Sequence, residues 1–426
     1  MNRFFYNILM YLMTPLIVVY LCYRAIKSDD YRGRLSERFG FKKFNFSQPV
    51  ILIHSVSMGE TIAATPLINQ LISDYPNHQI IVTTSTPTGS AVVKRNFGQQ
   101  VAHCYLPLDL IGSVKRFLKQ VTPDIVIVME TELWPNLIHQ LYKRNTPILL
   151  ANARMSEKSM QSYLKKAAPL MHDMLNKITQ VSAQYQSDAD RFKILGLPNN
   201  KLNIGGSIKF ELSIKDELKQ QQAVLKQQWA PNRLVWVAGS THPGENEKIL
   251  ATHKQLLTLF PSLLLVLIPR HSERFDETAT LTQNAGFNVI RRSQQQIPNE
   301  QCEVVIGDTM GEMFLLLGLA DIVYIGGSLI ERGGHNPLEP AALGKPIIMG
   351  PSCYNFSDIS HKLIDAGGLE TVEDSEQLTA LVSQLINDED RRSAMGENAL
   401  NVVKENQGTL SRLMNWVSTQ VSILRI

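Results

Sequence analysis

The sequence predicts an α/β chain: two facing Rossmann-like domains with parallel sheets, preceded by an N-terminal membrane-anchor helix. Three observations carry that reading. From residue 50 onward, short apolar runs rich in branched residues alternate with helically spaced segments, the pattern of βαβ units and of a sheet covered on both faces. The runs fall into two series, separated by a charged, Gln-rich stretch between Ser213 and Arg233. The first thirty residues contain a long uncharged apolar segment. At 426 residues the chain has room for two domains of about 200 residues each.

The apolar segment runs from Phe4 to Tyr23, FFYNILMYLMTPLIVVYLCY, close to the roughly 20 residues that span a bilayer. Asn7 and Thr14 interrupt it, and Pro15 is expected to kink the helix. So long an apolar core with no small-x-small cleavage site argues for an uncleaved anchor, spanning or half-inserted, rather than a signal peptide. A buried or interfacial amphipathic helix is the alternative. Arg24, Lys27, Arg32, Arg34, Arg38, Lys42 and Lys43 follow, against Arg3 alone before it. The positive-inside rule then places everything after residue 24 in the cytoplasm. The same cluster suits anionic head groups, although setting topology explains it equally well.

The expected organisation is an anchor over 1–24, a first domain over 25–212, a second over 213–407, and a C-terminal helix over 408–426 that packs back on the first domain. The first domain's strands are VILIHSV, IIVTTS, DIVIVME and ILLANA. The second domain's are LVWVAGS, LLLVLIP, EVVIGD, DIVYIGG and PIIMGP. Helices are expected over 61–73, 375–387, 390–404 and 408–424. The net charge of +3 makes no case for nucleic acid. Four cysteines without a C-x-x-C pair, and ten histidines without H-E-x-x-H, offer no metal site and fit a reducing compartment. G-x-G-x-x-G and G-x-x-x-x-G-K-[ST] are both missing, which argues against a dinucleotide and against a P-loop.

In such sheets ligands lie beyond the carboxyl ends of the strands. In the second domain the most informative stretch is IGGSLIERGGHNPLEPAALGKPIIMGP, residues 325–351. It reads as a strand, a Gly-rich loop and a helix starting near Asn336 and Pro337. Glycine lets a backbone approach a phosphate, and the free N–H groups of a helix start bind its oxygens. Asn336 is an N-cap and Glu339 an acceptor for ribose hydroxyls; a tight turn with a capped helix is the plain reading. VAGSTHPGENE (237–247) is another strand-to-helix turn at this edge. LIPRHSERF (267–275) places Pro269 and Arg270 directly after a strand, and GDTMGEMF (307–314) offers the N–H groups of Met310, Gly311 and Glu312. Together these turns describe a nucleotide pocket. The first domain contributes Glu60 at a strand-to-helix turn, Glu130 at a strand end, Arg154 and Ser156 in ANARMSEKS, and Lys209 at the end of its last strand. An acid in a first helical turn also complements the macrodipole, so Glu60 has a purely structural reading too.

Eight stretches, HSVSMGE, METELWPN, ANARMSEKS, GSIKFE, GSTHPGENE, IPRHSERF, GDTMGEM and GGHNPLEP, resemble the motifs of the bacterial 3-deoxy-D-manno-octulosonic acid (Kdo) transferases of lipopolysaccharide synthesis. The resemblance runs from the N-terminal segment to about residue 405. It implies a GT-B glycosyltransferase working without metal or cofactor at the cytoplasmic side of the inner membrane, in contact with its lipid. CMP-Kdo would be the donor and the lipid A precursor lipid IVA the acceptor. By the same resemblance Glu60 is the general base, and Glu130 and Lys209 stabilise the transition state. The CMP contacts fall on Pro269 and Arg270, on Met310, Gly311 and Glu312, and on Asn336, Pro337, Leu338 and Glu339. On the residues alone, a UDP-sugar transferase or a nucleotide-sugar epimerase fits the same turns.

Overall fold

The computed structural model describes residues 1–28, 31–212 and 214–424. Positions 29–30, 213 (the expected start of the second domain) and 425–426 (the end of the expected C-terminal helix) lie outside the described residues. The chain forms two compact units, Met1–Glu211 with Gln407–Ile426, and Leu212–Asn406.

The first unit is built on seven strands: β1 (Val50–His54), β2 (Gln79–Thr84), β3 (Ala102–Tyr105), β4 (Ile125–Met129), β5 (Ile148–Ala153), β6 (Gln180–Ala183) and β7 (Leu202–Ile204). They pair in parallel in the order β3-β2-β1-β4-β5-β6-β7. The near-continuous apolarity of β1 and β4 has a direct cause, since both faces of the sheet are covered. Ile51, Ile53, Ile125, Ile127 and Met129 feed one core, with Leu67, Ile68 and Leu71 of the helix Met58–Asp74. Val50, Leu52, Val126 and Val128 feed the other, with Phe117, Leu141 and Leu175. The helix Thr409–Leu424 closes the first core with Leu413, Val417 and Val421, spaced four apart on one face. It is held by Thr409 and Arg412, which donate to the Gly205 carbonyl at 2.9 Å and at 2.9 and 2.7 Å.

The helix Arg3–Lys27 has a mean hydropathy of 1.8 and buries none of its residues fully. It runs unbroken through Pro15, where a kink is expected from sequence, and the Thr14 hydroxyl donates to the Met10 carbonyl. Both of its ends touch the first unit. The N-terminal ammonium donates to Lys166 O at 2.8 Å, Tyr6 Oη to Asp109 at 3.0 Å, and Asn136 Nδ2 to Asn7 at 2.7 Å. At the other end Leu21, Cys22 and Ala25 line a small cavity with Arg34, Arg38 and Tyr105. The basic run is only partly available to lipid. Arg34 and Lys42 pair with the buried Glu37, and Arg38 donates to Ser85 O at 2.7 Å while stacking on Tyr105.

The second unit repeats the plan with β8 (Val235–Thr241), β9 (Leu264–Pro269), β10 (Val289–Arg291), β11 (Val304–Ile306), β12 (Ile322–Ile325), β13 (Ile347–Met349) and β14 (Leu369–Thr371), in the order β10-β11-β9-β8-β12-β13-β14, all parallel. Trp236 and Tyr324, both fully buried, anchor its core. In each sheet the chain fills one side of a central strand and then returns to that strand's other side, with β11 inserted between β10 and β9 in the second. The switch points lie between β1 and β4, and between β8 and β12. Loops diverge there and leave a crevice for ligand.

Candidate active site

Glu60 and Glu130 come from the two strands that flank the first switch point. Ser57 caps the helix Met58–Asp74, and Glu60 sits in its first turn, part-buried. Its Oε2 accepts from Val56 N at 2.8 Å and its Oε1 from Ser57 Oγ at 3.0 Å, a relative of the S-x-x-E capping box. The acid is therefore oriented by its own turn. A carboxylate has about four lone-pair sites, so two remain for a further donor. Burial raises its pKa, against the hydrogen bonds from Val56 and Ser57, and the Glu130 charge pushes the same way.

Glu130 follows β4 with φ +53°, a left-handed conformation that bulky side chains rarely adopt. Its N–H donates to Ala151 O at 2.9 Å, which continues the ladder through the strained residue. Such outliers collect at functional sites. Beside it Glu132, named by no sequence argument, carries the largest shift of the group. Burial first, then the charges of Glu60 and Glu130, push its carboxyl up to about 7. A cavity of about 370 Å³ is lined by Glu130, Thr131, Glu132, Arg154, Ser156 and Tyr163. Ser156 also caps the helix Glu157–Lys177 by accepting from Ser159 N at 3.1 Å.

Lys209 does not end a strand, as the sequence led us to expect. β7 stops at Ile204, and Lys209 lies in a 3-10 turn over Ile208–Phe210. The turn is pinned by the burial of Ile208 and Phe210 and by Ile208 N, which donates to Asn152 Oδ1 at 3.0 Å. Asn152 lies within β5 with φ +53°, where the register with β6 shifts. A second residue that sequence reasoning missed thus holds the lysine-bearing turn.

In the second unit, Pro269 is the last residue of β9 rather than the first after it, and Arg270 follows, exposed and with its N–H donating to Thr241 O at 3.0 Å. Met310 and Gly311 are exposed, and among the described residues their N–H groups donate to no protein acceptor. Gly311 has φ +85°, which glycine tolerates without strain. The Glu312 carboxylate is committed to Arg292, at 2.9 and 3.0 Å, and to the Thr309 hydroxyl at 2.5 Å. Asn336 accepts from Leu338 N at 3.1 Å and donates to Glu339 at 3.3 Å. Burial raises the Glu339 pKa, against the Asn336 bond and Arg270.

The Gly-rich loop is less open than the amide cradle expected from sequence. Four of its donors are spent within the protein. Gly333 N reaches Ser352 Oγ at 3.0 Å, Gly334 N reaches Gly327 O at 2.8 Å, His335 N reaches Gly326 O at 3.1 Å, and Leu338 N goes to Asn336. The helix beyond it spans only Leu338–Ala342. Upstream, the nest formed by Gly327, Ser328 and Leu329 is already filled by a carboxyl group. Fully buried Glu245 accepts from their N–H groups at 2.8, 3.1 and 3.0 Å, and from Tyr324 Oη at 2.5 Å. Gly333 and Gly334 have φ +80° and +67°, the left-handed region that favours glycine, and a Cβ on them would crowd Tyr354 and Met349. Among the described residues, no group of three or more His, Cys, Asp and Glu side chains is arranged to hold a metal ion.

Comparison with known proteins agrees with this architecture. A family described as glycosyl transferases group 1 matches residues 283–402. A UDP-GlcNAc 2-epimerase from Neisseria meningitidis, solved with UDP-GlcNAc, superposes with a TM-score of 0.56 at 15% identity, covering 86% of this chain and 100% of that one. The likeness is one of fold, and the class is that of GT-B glycosyltransferases. A second family, described as 3-deoxy-D-manno-octulosonic-acid transferase, matches residues 33–212. A 3-deoxy-D-manno-octulosonic acid transferase of Haemophilus influenzae is 46% identical over 97% of this chain and 98% of its own, and one of Bordetella pertussis 32% identical over 98% and 100%. The chain belongs to the 3-deoxy-D-manno-octulosonic acid transferases.

Proposed function

We propose that this enzyme moves Kdo from CMP-Kdo to lipid IVA in lipopolysaccharide biosynthesis, with inversion at the anomeric carbon and without a metal. The observation that carries the reading is Glu60, oriented by its own cap at the first switch point and raised in pKa by burial. The acceptor hydroxyl attacks the anomeric carbon from the face opposite CMP. The new C–O bond forms as the bond to the CMP phosphate breaks, and the hydroxyl proton passes to Glu60. A well-placed general base of this kind contributes about 10² to 10⁴-fold. Glu130 and Lys209 are assigned to the charge that develops at the sugar, and fixed charges that need no reorganisation are effective there. Pro269, Arg270, the Met310–Glu312 backbone and Asn336–Glu339 are assigned to CMP.

For the membrane we propose that the helix Arg3–Lys27 lies in the plane of the inner leaflet. A 25-residue helix is about 37 Å long. A crossing helix would carry one end to the far side of the bilayer, whereas Met1, Tyr6 and Asn7 bond to the same unit that packs Leu21 and Ala25. Its outward residues Phe4, Phe5, Leu12, Leu16 and Val19 are more than half exposed, as an interfacial face requires.

Mass spectrometry of the product from CMP-Kdo and lipid IVA tests the reaction. The expected result is acceptor mass increased by Kdo; no increase, together with thermal stabilisation by UDP but not by CMP, would favour a UDP-sugar enzyme.

A further inference from the structure

Four amides of the Gly-rich loop are spent within the protein. The same sheet edge brings other nitrogen groups together. His242 follows β8, His271 follows β9 directly behind Arg270, and His335 directly precedes Asn336, so three separate loops at one sheet edge each deliver an imidazole. The rings meet. His242 and His335 stack at 5.1 Å with an interplanar angle of 14°, and their Nε2 atoms stand 2.8 Å apart. His271 lies edge-on to His242 at 5.5 Å. Two imidazole nitrogens at that distance share one proton between them, one donating and the other accepting. His242 and His335 are part-buried and His271 is exposed, so the cluster opens to the loop edge. A side chain at Gly327 would meet the His335 ring at 3.0 Å, so the glycine keeps room for it.

We propose that His242, His271 and His335 are the anion-recognition element of the donor site, and that a phosphate ester binds there together with one proton, taken up by the His242–His335 pair. The inference rests on the nucleotide reading of this unit. The groups that face the pair are Arg270, His271 and Arg332, which oppose protonation, and the buried Glu245 beside His242, which favours it. Burial, then the Arg270 charge and the neighbouring His242 and His271, hold His335 down to about 4, and burial lowers His242 as well. Both rings are therefore neutral at neutral pH. A phosphate dianion reverses the sign of the local field and offers acceptor oxygens to the new N–H. Arg270, on the loop that carries His271, remains charged throughout and supplies the pH-independent part of the attraction.

The test is calorimetric titration of the full chain with CMP at pH 7.5, in two buffers of different ionisation enthalpy, with cytidine as the phosphate-free control. The CMP phosphate is fully ionised there, its second pKa being about 6. The expected result is uptake of about one proton per CMP and none per cytidine, with CMP affinity falling up to tenfold per pH unit from 7 to 8.5. His335→Gln and His242→Gln should abolish the uptake and weaken CMP at least tenfold at pH 7 while leaving cytidine affinity unchanged. CMP binding without proton uptake in the unaltered protein, or variants that keep it, would overturn the inference. If neither CMP nor cytidine binds, the nucleotide reading itself fails, and this inference falls with it.

Discussion

Glu132→Gln isolates the electrostatics of the acid cluster. In the folded chain burial, then Glu60 and Glu130, push the Glu132 carboxyl from 4.5 up to about 7. The folded state therefore keeps a proton that the unfolded chain releases near 4.5. The stability contribution is fully present below that pH and is lost as pH rises through about 7. The whole separation is worth about 3.4 kcal/mol, of which about 2.5 falls between pH 5 and 8. Partial exposure and the sharing of charge among three carboxylates reduce the expected effect to about 1–2 kcal/mol. Glutamine keeps the shape and cannot ionise. Urea unfolding followed by tryptophan fluorescence should show the stability of the variant, relative to the unaltered protein, higher at pH 8 than at pH 5 by that amount. An equal difference at both pH values, or a larger one at pH 5, would refute the reasoning.

Other consequences follow from the same geometry. Glu245→Gln puts an amide where three backbone N–H groups need an acceptor. It should cost about 2–4 kcal/mol and weaken CMP at least tenfold, read by unfolding and by titration. Asn152→Ala leaves Ile208 N without its acceptor, so turnover should fall while CMP affinity holds; unchanged turnover would remove Asn152 from the account. A cysteine introduced at position 2 should react with an impermeant thiol reagent from the same side of a vesicle as the catalytic units, whereas labelling only from the opposite side would mean that the helix crosses.

The legible parts of the fold are those that local burial decides. β1, β4, β8 and β9 are runs of branched or apolar residues whose two faces both need covering, and the sequence pattern says so. AHCY, QVSA, LNI, VIR and LET carry no such pattern, and they become strands because a neighbour's free edge pairs with them. The same holds at the site. The strand-to-helix turn that carries Glu60 is legible because adjacent residues build it, whereas its Ser57 cap is a finding of the structure. The nest beside the Gly-rich loop reads as open from sequence because the carboxyl group that fills it comes from Glu245, some eighty residues earlier. His242, His271 and His335 were visible in three quoted motifs, but only the strand order brings their rings together. Lys209 reads from sequence as the end of the last strand, whereas Ile208 N bonds to Asn152 on another strand and the segment is a 3-10 turn.

The central claim is that Glu60 takes the acceptor's proton. Its most direct test is the rate of Kdo transfer from CMP-Kdo to lipid IVA by Glu60→Gln beside the unaltered enzyme, with CMP affinity measured on both proteins. The account predicts a rate at least ~10²-fold lower with CMP affinity preserved. Near-normal transfer by the variant would contradict it.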